Sequence, residues 1–185
     1  MFFCIIIGAI VIKNKSASVY IEVEETSHYT KYVSEKTGFT FLYPQTYFLE
    51  EKNLNTPQRE HHAIILTEDT AENRLVREGK SPGREGPVAI TVDVYQNLED
   101  ASVSDWIQTH GGNASNWKLD GRNLTQISIQ GKEAFSYNWS GLYEARSVVF
   151  AHKGNIIMTT VTYITSEDTI ISVFENILTS FIFID

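Results

Sequence analysis

His61 and His62 follow Arg59 and Glu60 and form the densest ionisable cluster in the chain, so they are the first place to look for chemistry. An imidazole can act as general base, proton shuttle or metal ligand near neutral pH. Adjacent residues on a strand point to opposite faces, so the two rings converge on one metal or one substrate only where the backbone is irregular. A metal would also need ligands from Glu68, Asp69 or His152, and these stand at no recognisable spacing. The pattern predicts two solvated loop side chains, with no metal and no catalytic residue.

Other chemistries fare no better. Nucleophilic catalysis needs a Ser, Thr or Cys beside a positioned base and an oxyanion donor set. Serines are plentiful, but none stands in Gly-x-Ser-x-Gly, and the single cysteine, Cys4, lies in the leader. The pairs Glu50-Glu51 and Glu99-Asp100 flank loops, where neighbouring acids are ordinarily solvated surface. Gly111-Gly112 and the Gly83/Gly86 pair lack the strand-turn-helix context of a phosphate cradle, so no cofactor is expected. Asn14, Asn113, Asn123 and Asn138 open Asn-x-Ser/Thr sequons that carry little weight without a known host.

The aromatics are the remaining candidates. Trp106 falls on a helical apolar stripe and Trp139 in a strand, where packing in a core is the common role. Trp117 lies in the polar stretch from Gly112 to Arg122, among Asn113, Asn116, Lys118 and Asp120. It is the aromatic expected to be exposed and is the one candidate recognition residue.

The elements that must position these residues follow from periodicity. Tyr29 to Val33 and Phe39 to Tyr43 read as strands joined by a turn at Glu35 to Gly38, with Pro44 as a stop. Ala63 to Leu66 is a short strand, and Val88 to Tyr95 alternates with a period of two. The segment from Asp69 to Pro87 reads as a long charged surface loop, mobile and without a role in the core. Ser102 to His110 has helical spacing, a Ser102/Asp105 capping box and Gly111 as its stop. Four strands follow, at Leu124 to Gln130, Glu133 to Trp139, Ala145 to His152 and Ile156 to Ile164, with connections short enough for antiparallel neighbours. A last helix from Ser166 stripes Ile170, Phe174, Ile177, Leu178 and Phe181, then runs into a strand ending at Ile184. The class is α+β: a mostly antiparallel sheet packed against helices.

The run Gly38-Phe39-Thr40-Phe41-Leu42-Tyr43-Pro44, answered by the helix-to-strand passage from Phe174 to Phe183, resembles the PsbP/Mog-type family over roughly Tyr29 to Asp185. The resemblance implies a sheet-and-helices sandwich and a role in binding or assembly. Bacterial members include lipoproteins and exported domains.

Composition bounds the rest. With 42% hydrophobic and 21% charged residues, the 185-residue chain matches globular averages and can bury a core without disulfides. A formal charge of −8 and no Lys/Arg stripe speak against nucleic acid. Phe2 to Ile12 is continuously apolar, too short for the roughly 20 residues of a spanning helix, and fits a signal h-region or part of an anchor. Residues 1–27 are therefore expected to be a leader or anchor remnant with a polar tether, and 28–185 the domain. The sequence reads as a monomeric, non-enzymatic binding or assembly module, exported or membrane-tethered, for a protein partner or small ligand. The alternatives are a hydrolase using His61 or His62 with an acid from the 69–87 loop, and a structural envelope component whose sheet edge recruits another chain.

Overall fold

A computed structural model of the protein describes residues 28–57, 59–81, 85–119 and 123–184. The expected leader and tether, with Cys4, lie outside the described residues. In chain order the elements are β1 (Tyr29–Ser34), β2 (Phe39–Pro44), β3 (Tyr47–Asn53), β4 (His61–Glu68), α1 (Ala71–Arg77) and β5 (Ile90–Gln96). Then come α2 (Val103–Asp105), a π-helical turn (Trp106–His110) and a 3₁₀ turn (Gly112–Ser115). β6 (Thr125–Ile129), β7 (Lys132–Ser140), β8 (Glu144–His152), β9 (Asn155–Tyr163), α3 (Thr169–Ser180) and β10 (Ile182–Phe183) complete the chain.

The strands form two antiparallel sheets, one of three strands in the order β1-β2-β10 and one of seven in the order β3-β4-β5-β9-β8-β7-β6. This is the α+β architecture that the apolar patterning predicts, with the strands divided between two sheets. The inner face of the large sheet supplies Ile64, Leu66, Val92, Phe150, Ile157 and Val161 to a core closed by α3 and the small sheet. α3 delivers Ile170, Phe174, Ile177 and Leu178, the stripe that its 3.6-residue period requires. Phe181, which caps that helix, sits among Phe39, Phe41 and Phe150 with ring centroids 5.4–5.5 Å away.

Gly38 ties this end together. Its φ of +70° is a conformation that glycine adopts readily, and a Cβ there would meet the Ile184 carbonyl at 2.8 Å. The Gly38 carbonyl accepts from His152 Nε2 and from the Ile184 amide, each at 2.8 Å. His152 is thereby a buried structural histidine.

A second, smaller core lies on the other face of the large sheet. Here Tyr95, Val149, Ile156 and Met158 pack under Val103, Trp106 and Ile107 of the α2 region. The Ser102 cap forms as predicted, Ser102 Oγ accepting from the Asp105 amide, but the Asp105 carboxylate takes its hydrogen bond from the Ser102 hydroxyl, which makes half of the expected capping box. Gly111 does end the helix, but at φ −63°. Glycine is needed there for closeness, because a Cβ would stand 2.8 Å from the Trp106 carbonyl.

Two expectations are corrected. The 69–87 segment opens with α1, capped by Thr70, whose hydroxyl accepts from the Asn73 amide. Asp69 accepts from Arg74 and Arg77, and the Arg77 guanidinium lies 3.8 Å over the Phe48 ring. The helix buries none of its residues, so its order comes from these polar contacts. The second correction is β3, where Glu50-Glu51-Lys52 hides a strand. It is an edge strand, and charge on an edge blocks pairing with other chains.

Candidate functional site

β4 begins at His61, so the two histidines are strand residues and half-buried, not solvated loop side chains. The pleat sends them apart, as the period of two requires. His62 faces the small sheet, where its Nε2 donates to Glu51 Oε2 at 2.8 Å. The same oxygen accepts from the Tyr32 hydroxyl at 3.2 Å. Burial, and then the nearby Glu51 charge, push the Tyr32 phenol well above its ordinary pKa. These groups line a cleft of about 480 Å³ between the β1–β2 turn and the ends of β3 and β4.

His61 faces the opposite side. Its Nε2 donates to Asp93 Oδ1 at 2.7 Å, and Thr91 Oγ1 donates to Asp93 Oδ2 at 2.7 Å. The imidazole stacks on Tyr95 with centroids 4.3 Å apart, and Tyr95 packs on Trp106 at 5.1 Å. Arg59 lies over both rings at 5.7 and 5.8 Å, and its Nη1 donates to the Gly111 carbonyl at 3.1 Å. Burial above all, with Asp93 adding to it, raises the Tyr95 phenol well above its ordinary pKa, so it stays neutral.

Beside this cluster a groove of about 250 Å³ runs over the outer face of the large sheet. Its floor is Thr91 and Asp93 of β5 with Met158 and Thr160 of β9, and its walls are Trp139 and Asn116. Antiparallel pairing sets Thr91 opposite Thr160 and Thr160 opposite Ser147, a row of three hydroxyl side chains across three strands. Trp139 Nε1 donates to Ser147 Oγ at 3.0 Å, and Ser147 Oγ shares a hydrogen bond with Thr160 Oγ1 at 2.8 Å.

Trp117 is less exposed than its polar neighbours suggest. It is half-buried against the second core, edge-on to Tyr137 with centroids 5.5 Å apart, and follows Asn116 of the groove wall. The structure therefore brings Trp117 close to the groove while separating His61 from His62. Asp69, one acid of the 69–87 segment expected to serve a hydrolase, is occupied by two arginines that hold its carboxyl well below the ordinary carboxylate range. Among the described residues no group of three or more His, Cys, Asp or Glu side chains is placed to hold a metal.

Sequence reasoning assigned Trp139 to core packing and passed over Asp93, Ser147 and Thr160. The signal was an acid in the middle of the alternating Val88 to Tyr95 run. Its period puts Thr91, Asp93 and Tyr95 together on the face away from the main core.

Comparison with solved structures finds a similar overall fold. A solution structure of cyanobacterial PsbP (CyanoP) from Synechocystis sp. PCC 6803 superposes with a TM-score of 0.55 over 92% of this chain and 98% of that one. The chain has a PsbP-like fold. At 14% identity the PsbP likeness extends to architecture alone. No protein-family model and no curated protein sequence matches the chain. No helix among the described residues is long and apolar enough to cross a membrane.

Proposed function

We propose that this PsbP-like domain is a non-enzymatic binding or assembly module acting outside the cytoplasm, and that it recognises its partner through the outer face of the large sheet, around Trp117 and Trp139. The observation that carries the reading is the division of the polar side chains. The two histidines are committed to separate carboxylates on opposite faces, whereas Trp139, Thr91, Thr160 and the Asp93 carboxylate gather on the outer face in an open groove. Recognition needs fixed donors, acceptors and aromatic surface in one place, and the outer face supplies all three. The likeness to CyanoP supports the choice at the level of fold, and the apolar run from Phe2 to Ile12 supports export or tethering.

The test compares the full chain with Trp117→Ala and with the double variant His61→Ala/His62→Ala. Each protein is measured for partner retention from its own host's envelope fraction and for turnover of ester, phosphoester and glycoside substrates. The reading expects a defined partner lost with Trp117→Ala and retained by the histidine variant, without histidine-dependent turnover. Turnover that disappears only in the histidine variant establishes the hydrolase instead.

A further inference from the structure

Resting on the reading of this face as the recognition surface, we propose that the groove beside Trp139 binds one ring of a neutral sugar, as a free glycoside or as the end of a glycan.

The size fits a small ligand. About 250 Å³ falls below the roughly 300–1,000 Å³ of pockets that bury drug-sized molecules, and suits a single six-membered ring. The chemistry of the lining is more selective. A pyranose presents an apolar C–H face together with hydroxyls that both donate and accept. Trp139 offers a half-buried aromatic wall and Met158 a polarizable apolar patch in the floor. Between them lie the side chains of Thr91, Asp93 and Thr160, groups that pair with hydroxyls.

These polar groups are arranged before any ligand arrives. Asp93 is 8% exposed and Thr160 6%, so both lie deep in the floor. A carboxylate has about four lone-pair sites, and His61 and Thr91 take one on each Asp93 oxygen, leaving acceptor capacity for ligand hydroxyls. Ser147 accepts from the Trp139 indole while holding the Thr160 hydroxyl, so the wall and floor are fixed to each other. Pre-positioned groups lose little freedom on binding, which lets a small ligand gain affinity from a few hydrogen bonds.

The lining also discriminates against charged ligands. Among the described residues no lysine or arginine side chain borders the groove, so an anion meets no counter-charge from them and faces the Asp93 carboxylate. A cation would have to compete with His61 for that same carboxylate. A neutral polyhydroxyl ring meets neither obstacle.

The experiment titrates the full-length protein with methyl glycosides of glucose, galactose, mannose and N-acetylglucosamine by saturation-transfer NMR and calorimetry. Tetramethylammonium and methyl phosphate serve as charged comparators. At least one glycoside should bind saturably, at least tenfold more weakly in Trp139→Ala and in Thr160→Val, and equally well in His62→Ala on the far face. Should Trp139→Ala fail to fold by circular dichroism, Ala89→Trp fills the groove with the indole intact and should abolish binding. Failure of every glycoside to bind overturns the inference, as does tighter binding of either comparator or binding indifferent to the groove variants. Loss of glycoside binding with Trp117-dependent partner retention intact would sink the sugar and leave the binding module. Hydrolysis of a bound glycoside would keep the groove and sink the non-enzymatic reading.

Discussion

His61 and His62 are consecutive in β4 yet point to opposite faces of the large sheet, one donating to Asp93 at 2.7 Å and the other to Glu51 at 2.8 Å. The two pairs are equally short but unequally buried, and burial decides their energetic weight. Removing the His61 imidazole leaves the nearly buried Asp93 carboxylate short of a donor, which should cost about 1–3 kcal/mol. The His62 pair is solvent-accessible on both sides, so His62→Ala should cost less than about 1 kcal/mol. Urea titrations of the two single variants check the order, and equal or reversed losses would contradict it.

Phe174 and Phe181 both have zero exposure, and Phe181 joins the last helix to both sheets through its ring contacts. Truncating either to alanine should cost about 3–5 kcal/mol in a denaturant titration. A midpoint unchanged from the parent protein would mean that α3 does not close the main core.

Asp168 sets a pH dependence. Its carboxylate accepts from the Ile164 amide at 2.7 Å and from the Thr165 amide and hydroxyl, and the Ile164 bond is the largest cause of its lowered pKa. A carboxyl whose folded pKa is depressed binds protons more readily in the unfolded chain. Its contribution is therefore complete above the ordinary carboxylate pKa and is lost as pH falls through the depressed folded value. Asp168→Asn should melt below the parent at pH 7, with the difference shrinking in acid below the ordinary carboxylate range. A gap independent of pH would assign the effect to shape, not charge.

The order of α1 changes what a protease should find between Asp69 and Pro87. Arg74 and Arg77 are held by Asp69, and Arg77 is stacked on Phe48, whereas Lys80 follows the helix and pairs with the exposed Glu78. Limited trypsin digestion should cut after Lys80 before it cuts after Arg74 or Arg77, as mass spectrometry of early fragments would reveal. Early cleavage at Arg77 would show that α1 opens readily in solution.

The frame was legible in the sequence because its signals are local. Gly38 and Pro44 bound one strand, Ser102 and Asp105 cap a helix, and the Ile170 to Phe181 stripe has an unambiguous period. The groove was not legible, because its parts come from β5, β7, β9 and the 3₁₀ turn, and only strand order makes them neighbours. β3 was hidden because an edge strand carries charge where a central strand carries valine. The exposure of Trp117 was overestimated for a related reason: polar sequence neighbours said nothing of Tyr137, twenty residues away, on which it packs.

The most direct test of recognition at the outer face is site-specific photo-crosslinking of the full chain in its own host. Benzoylphenylalanine, which attacks C–H bonds of proteins and glycans alike, replaces exposed Leu119 beside Trp117 in one protein and exposed Asn55 at the His62 cleft in another. A discrete adduct is expected from position 119 that disappears when Trp117→Ala is added, and none from position 55. An adduct from position 55 alone, or one at 119 indifferent to Trp117, would contradict recognition at the outer face.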